Sequence, residues 1–136
     1  MDLSDVLEHS EQLKIVNTLG RLTASDRITW RPDGSDVSVT ELANHSYRLF
    51  SVDADGEAPY GLTVSRREKV GPTVSYKPVA EIVMHPASDP KANAEINASL
   101  RDLYEDAYRK SRRDALKIDE FLEELDGVER GDLPPF

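Results

Sequence analysis

The chain has three histidines, His9, His45 and His85, and imidazole is the side chain that most often binds transition metals or moves protons near neutral pH. They are widely separated and none stands in an HExxH or comparable spacing, so no metal ligand is assigned. The run Asp53-Ala54-Asp55-Gly56 has the acid spacing that opens a calcium loop. Such a loop closes on a glutamate at its twelfth position, which here is Val64, so the run is read as a turn. Serines are plentiful, but no GxSxG nucleophile elbow and no glycine-rich phosphate loop occurs. The chain is therefore expected to be non-catalytic, with no cofactor, no catalytic residue and no metal site.

Charge is the next candidate for chemistry. Basic residues cluster at Arg66, Arg67 and Lys69 and again at Arg109, Lys110, Arg112 and Arg113, and together they could hold a phosphate or an acidic partner. Several of the second group have a carboxylate one turn away, as in Glu105 with Arg109 and Asp106 with Lys110, which favours a solvated ion-pair face instead. Over the whole chain 26 acidic residues face 17 basic ones, a net charge of −9. That balance disfavours a nucleic-acid backbone and an anionic membrane as direct partners.

These residues must be positioned by a small number of elements. With 136 residues and 38% hydrophobic content, the chain fits one domain with one core, expected over 1–126, followed by a mobile tail over 127–136. No cysteine is present, the start MDLSDVLEHSEQ has neither the basic flank nor the apolar run of a signal peptide, and no apolar run approaches the roughly 20 residues of a membrane span. A cytoplasmic location is the expectation.

The segment from Ser88 to Leu125 is the organising element. At 100° per residue, Ile96, Leu100, Leu103, Tyr104, Ala107, Tyr108, Ala115, Ile118, Phe121, Leu122 and Leu125 fall within roughly 140° of a helix. Ser88 or Asp89 can cap its start, Pro90 suits the first helical position, and Gly127 is a natural stop. A helix from Pro90 to Leu125 would be about 50 Å long, more than one small domain covers. Ser111 and Asp114 interrupt the apolar arc, with Arg112 and Arg113 beside them. Two outcomes stay open: a kink at Ser111–Asp114, with Asp114 capping a second helix from Ala115, or a continuous helix whose overhang meets a partner.

Upstream, Leu3 to Leu22 reads as helical without one clean stripe. Either a leading turn breaks near Ser10 before a helix over Glu11–Thr23, or one helix is sandwiched between two surfaces. Strand signals follow: Ile28 to Arg31, then Val37 to Leu42 after the turn Pro32-Asp33-Gly34, Ser46 to Val52, Tyr60 to Ser65, and Val79 to Met84 ending at His85-Pro86. Tyr47 and Leu49 face one side of the third strand and Phe50 and Val52 the other, which implies a central or bulged strand. Arg66 to Pro78 is the least readable stretch: Arg66, Arg67 and Lys69, then Gly71-Pro72, then Val74 and Tyr76 as possible edge residues. Short connections predict antiparallel pairing. The expected architecture is α+β: an N-terminal helix, an antiparallel meander of four to five strands, and a long C-terminal helix packed on the sheet.

The runs LGRLTASDRITW from Leu19 and LRDLYEDAYRKSRRDALKIDEFLEEL from Leu100 resemble a loose group of small bacterial proteins. In that group a helix ends in Leu-Thr, a Trp-bearing strand follows, and a helix of the Leu-Tyr-x-x-Ala type closes the chain. The resemblance implies this fold sketch and no activity.

The leading functional expectation is a protein-protein interaction module that docks on a partner or on itself through the long helix, using Ser111, Arg112, Arg113, Asp114, Ile118, Phe121 and Leu122. A second is an acidic inhibitor or immunity-type protein whose Glu120, Glu123, Glu124, Asp126, Glu129 and Asp132 occupy the basic groove of a nuclease or nucleic-acid-binding protein. A third is a small-ligand-binding domain beneath Trp30, Tyr47 and Tyr60.

Overall fold

A computed structural model describes residue 3, residues 6–84 and residues 90–134, with residues 90–93, 114 and 115 described by their backbone alone. The expected stop at His85-Pro86 and the expected caps Ser88 and Asp89 lie outside the described residues. The element order is α1 (His9–Ala24), β1 (Arg31–Pro32), β2 (Ser38–Glu41), β3 (His45–Ser51), β4 (Tyr60–Val70), β5 (Thr73–Val83), α2 (Pro90–Ala115) and α3 (Ile118–Arg130). The strands form one antiparallel sheet in chain order. This is the α+β arrangement of helices on a meander that the hydrophobic patterning predicts.

Helix α1 starts just before Ser10, because the Glu8 backbone N–H donates to Glu11 Oε1 at 2.9 Å and satisfies an orphan donor of the first turn. At its far end Thr23, fully buried, donates its hydroxyl to Leu19 O and accepts the Trp30 indole N–H at 2.9 Å. A buried indole needs such a partner. This bond turns Trp30 into the core, and the Thr29 carbonyl accepts from the Thr40 hydroxyl at 2.8 Å. The ladder over Ile28–Trp30 is therefore absent, and the regular first strand is only Arg31–Pro32.

Alternation along β3 and β4 sends Tyr47, Leu49, Tyr60, Leu62 and Val64 toward the helices. There Leu49, Leu62, Ile82 and Trp30 pack with Val16 and Leu19 of α1 and Ile96, Leu100, Leu103, Tyr104 and Ala107 of α2. Fully burying side chains of this size contributes about 1.5–3 kcal/mol each. The other sheet face is sparser, and Phe50 lies across Gly61, where any Cβ would overlap its ring.

The stretch Arg66 to Pro78 is a regular hairpin. Strands β4 and β5 pair as far as Val70 with Thr73, whereas β3 stops opposite Arg66. Residues 67–70 and 73–76 thus form a two-stranded arm reaching beyond the sheet. A register shift between Val64 and Ser65 marks its root. The irregularity lies between β4 and β5, away from the third strand, where a bulge was one expectation.

The C-terminal helix breaks, but not at Ser111–Asp114. Helix α2 continues to Ala115, and Lys117 takes a left-handed conformation, φ +54°, before α3 begins at Ile118. Asp114 thus lies within α2 and caps no second helix. Gly127 is not the stop either: it is buried within α3 under Leu133. The helix ends at Gly131, φ +80°, whose conformation favours glycine and whose N–H reaches back to Gly127 O and Val128 O. Residues 127–130, expected in the tail, are helical.

Candidate interaction surface

The C-terminal half of α2 holds the most polar contacts. Ser111 is 0% exposed; its hydroxyl donates to Tyr108 O at 2.9 Å and lies 3.2 Å from Ser38 Oγ of β2. Arg112 donates from Nη1 to both serine oxygens, at 2.9 and 2.8 Å, and from Nη2 to Gly34 O at 2.8 Å. Its guanidinium also sits 4.1 Å from the centre of the Tyr108 ring. Tyr104 stacks on Tyr60 with centroids 4.0 Å apart and donates its hydroxyl to Asp36 O at 2.6 Å. Burial, helped by Asp36, pushes the Tyr104 hydroxyl up to about 12. These groups clamp α2 onto the turn between β1 and β2.

The ion pairs expected along α2 are also redirected. Lys110 donates to Thr23 O at 2.6 Å and to Asp26 Oδ1 at 3.0 Å, fixing the end of α1, while Arg109 pairs with Asp106 at 2.6 Å. Neither of the two basic clusters joins the other: one is built into the arm and the other into these helix contacts.

Of the expected docking residues, then, Ser111 and Arg112 are taken up by the protein's own interior, and the side chain of Asp114 lies outside the described residues. Arg113 is exposed and reaches Asp119 at 3.8 Å, across the break. Ile118, Phe121 and Leu122 are different. With Leu125 they fall within roughly 100° of one another on α3, and Phe121, Leu122 and Leu125 remain 52%, 48% and 65% exposed. Leu116 beside the break is exposed as well. Single exposed apolar side chains are ordinary, whereas a contiguous stripe of them marks an interaction site.

The stripe has an acidic rim. From Ile118 to Leu133 seven carboxylates face one base. Asp119, Glu120 and Asp132 pair with Arg113, Lys117 and Arg130; Glu123, Glu124, Asp126 and Glu129 form no ion pair among the described residues.

Of the arm's exposed face, pattern reasoning marks only Val74 and Tyr76, as possible edge residues, and misses the pairing that holds it. Tyr76 donates its hydroxyl to Glu41 Oε1 at 2.8 Å, and Arg31 and Arg67 also contact Glu41, at 2.8 and 3.8 Å. The Tyr76 hydrogen bond and then Arg31 hold the Glu41 carboxyl below its usual range. Val70, Val74 and Tyr76 are exposed on this arm.

Trp30 and Tyr60 are core side chains and Tyr47 is half-buried against them. A surface concavity of about 760 Å³ lies instead between α1 and α2 and is lined by residues such as Asn17, Arg21, Asp102 and Asp106. Among the described residues no three His, Asp or Glu side chains are grouped to hold a metal ion, and no helix is long and apolar enough to cross a membrane. No family model, curated protein or solved structure matches the chain.

Proposed function

We propose that this protein is a non-catalytic, cytoplasmic interaction module that docks through α3. The observation that carries this reading is the stripe Ile118, Phe121, Leu122 and Leu125, whose last three members the chain leaves open to water. Removing such side chains from water is worth about 25 cal/mol per Å², and a covering surface supplies that gain on binding. The unpaired carboxylates at the rim select a partner of positive charge and speed its approach. Apolar exposure within the acidic rim favours docking over inhibition by carboxylates alone, which needs no such stripe.

The test is a photo-crosslinking side chain placed at Leu122, or at Arg48 on the opposite sheet face as a control, in cells that make the protein. Discrete crosslinked species from position 122 and none from position 48 are expected. No product from position 122, or equal products from both, would contradict a docking role for α3.

A further inference from the structure

Two surfaces of this chain complement each other, and the chain does not bring them together. One is the stripe and rim of α3. The other is the arm with its root, where four basic residues, Arg66 and Lys77 at the root and Arg67 and Lys69 on the arm, outnumber the single acid Glu68 between positions 66 and 77. Arg66 and Arg67 are partly occupied by Glu68 and Glu41, but Lys69 and Lys77 form no ion pair among the described residues. Exposed apolar groups lie between these charges: Val70 at 68%, Tyr76 at 46% and Val74 at 36%.

The register at the arm's root sets what it presents. Beyond the shift at Val64/Ser65, Lys69 stands opposite Val74 and Arg67 opposite Tyr76. Cross-strand partners share a face, so Lys69, Val74, Arg67 and Tyr76 line one side. The Tyr76 bond to Glu41 fixes that side relative to the sheet. Sizes are compatible: the four residues of each arm strand span about 13 Å, within the roughly 20 Å covered by the 13 residues of α3.

We infer that the occupant of the α3 stripe is the arm of a second copy of this chain. Resting on the docking role proposed above, the contact sets Phe121, Leu122 and Leu125 against Val74 and Tyr76, with Asp126 and Glu129, which lie beside that stripe on the helix, facing Lys69. Each copy carries both patches, so the contact can form once or twice between two copies. It closes when each copy's α3 lies on the other's arm, giving a symmetric dimer, and otherwise extends as a chain of copies.

The experiment is sedimentation velocity on the purified full chain, with Lys69→Glu and Asp126→Lys/Glu129→Lys variants run separately and as an equimolar mixture. All three altered positions are on the surface, and thermal melts establish that each variant is folded. Wild type is expected to associate, each variant alone to sediment as a monomer, and the mixture to regain association by pairing reversed charges. Raising salt should weaken wild-type association, since the charges are exposed. Monomeric wild type at every concentration overturns the inference; crosslinks from position 122 to a chain of another mass would then leave the docking role standing. Association that persists in both separate variants, as edge pairing between β5 strands would give, also overturns it.

Discussion

The two sides of the break at Lys117 each reverse the usual disposition of polar and apolar residues. On the α2 side, serine, arginine and tyrosine are turned inward: Ser111 is buried, Arg112 makes three hydrogen bonds, and Tyr104 closes on Asp36 O. On the α3 side, phenylalanine and leucine are turned outward. Polar residues interrupting an apolar face are thus the structural joint, and apolar residues continuing that face are the candidate binding surface. Helical periodicity alone does not say which, since it reports that a face is apolar and not what covers it.

Variants on the two sides separate stability from association. The largest effect belongs to the core that both sides depend on: Trp30→Ala removes a buried indole and leaves Thr23 without its donor, and should cost about 3–5 kcal/mol in chemical denaturation. Next, Arg112→Ala should cost about 2 kcal/mol, because it removes hydrogen bonds from a charged group and a cation–π contact. A midpoint equal to wild type would show the clamp to be idle. Tyr104→Phe keeps the ring stack and loses one hydrogen bond, about 1 kcal/mol.

Tyr104 also gives a pH signature. Its folded value of about 12 lies above the ordinary value of 10.0, so this contribution is complete below pH 10 and is lost as pH rises through 10 to 12. Wild type should therefore lose stability more steeply than Tyr104→Phe over that window. Glu41 works in the other direction: a lowered carboxyl stabilises above its ordinary value of 4.5 and loses that contribution as pH falls through the lower folded value. Glu41→Gln should flatten the acid limb slightly, and amide exchange near Tyr76 would reveal the loosened arm.

Much of the framework was legible because it rests on local rules. The 3.6-residue spacing from Ile96 to Ala107 corresponds to side chains that are buried, and the alternation of Tyr60, Leu62 and Val64 to a sheet face against the helices. The clamp was not legible, since Ser38 and Ser111 are separated by 73 positions and no local pattern joins them. Nor, beyond Val74 and Tyr76 as edge residues, was the arm, whose two faces both carry polar residues and so show no clear alternation. Gly127 misled because burial against Leu133, and not termination, accounts for a glycine there. Of the expected surface, Phe121 and Leu122 are exposed, whereas Ser111 and Arg112 belong to the joint.

The most direct measurement compares Phe121→Ser/Leu125→Ser with Arg112→Ala for both melting temperature and sedimentation. The α3 pair is predicted to keep its melting temperature, with stability changed by no more than about 0.5 kcal/mol, and to lose association. Arg112→Ala is predicted to melt lower and, while folded, to associate like wild type. Exposed apolar changes on α3 that leave association intact, or an Arg112 change that abolishes it in the folded protein, would contradict the division of roles across Lys117.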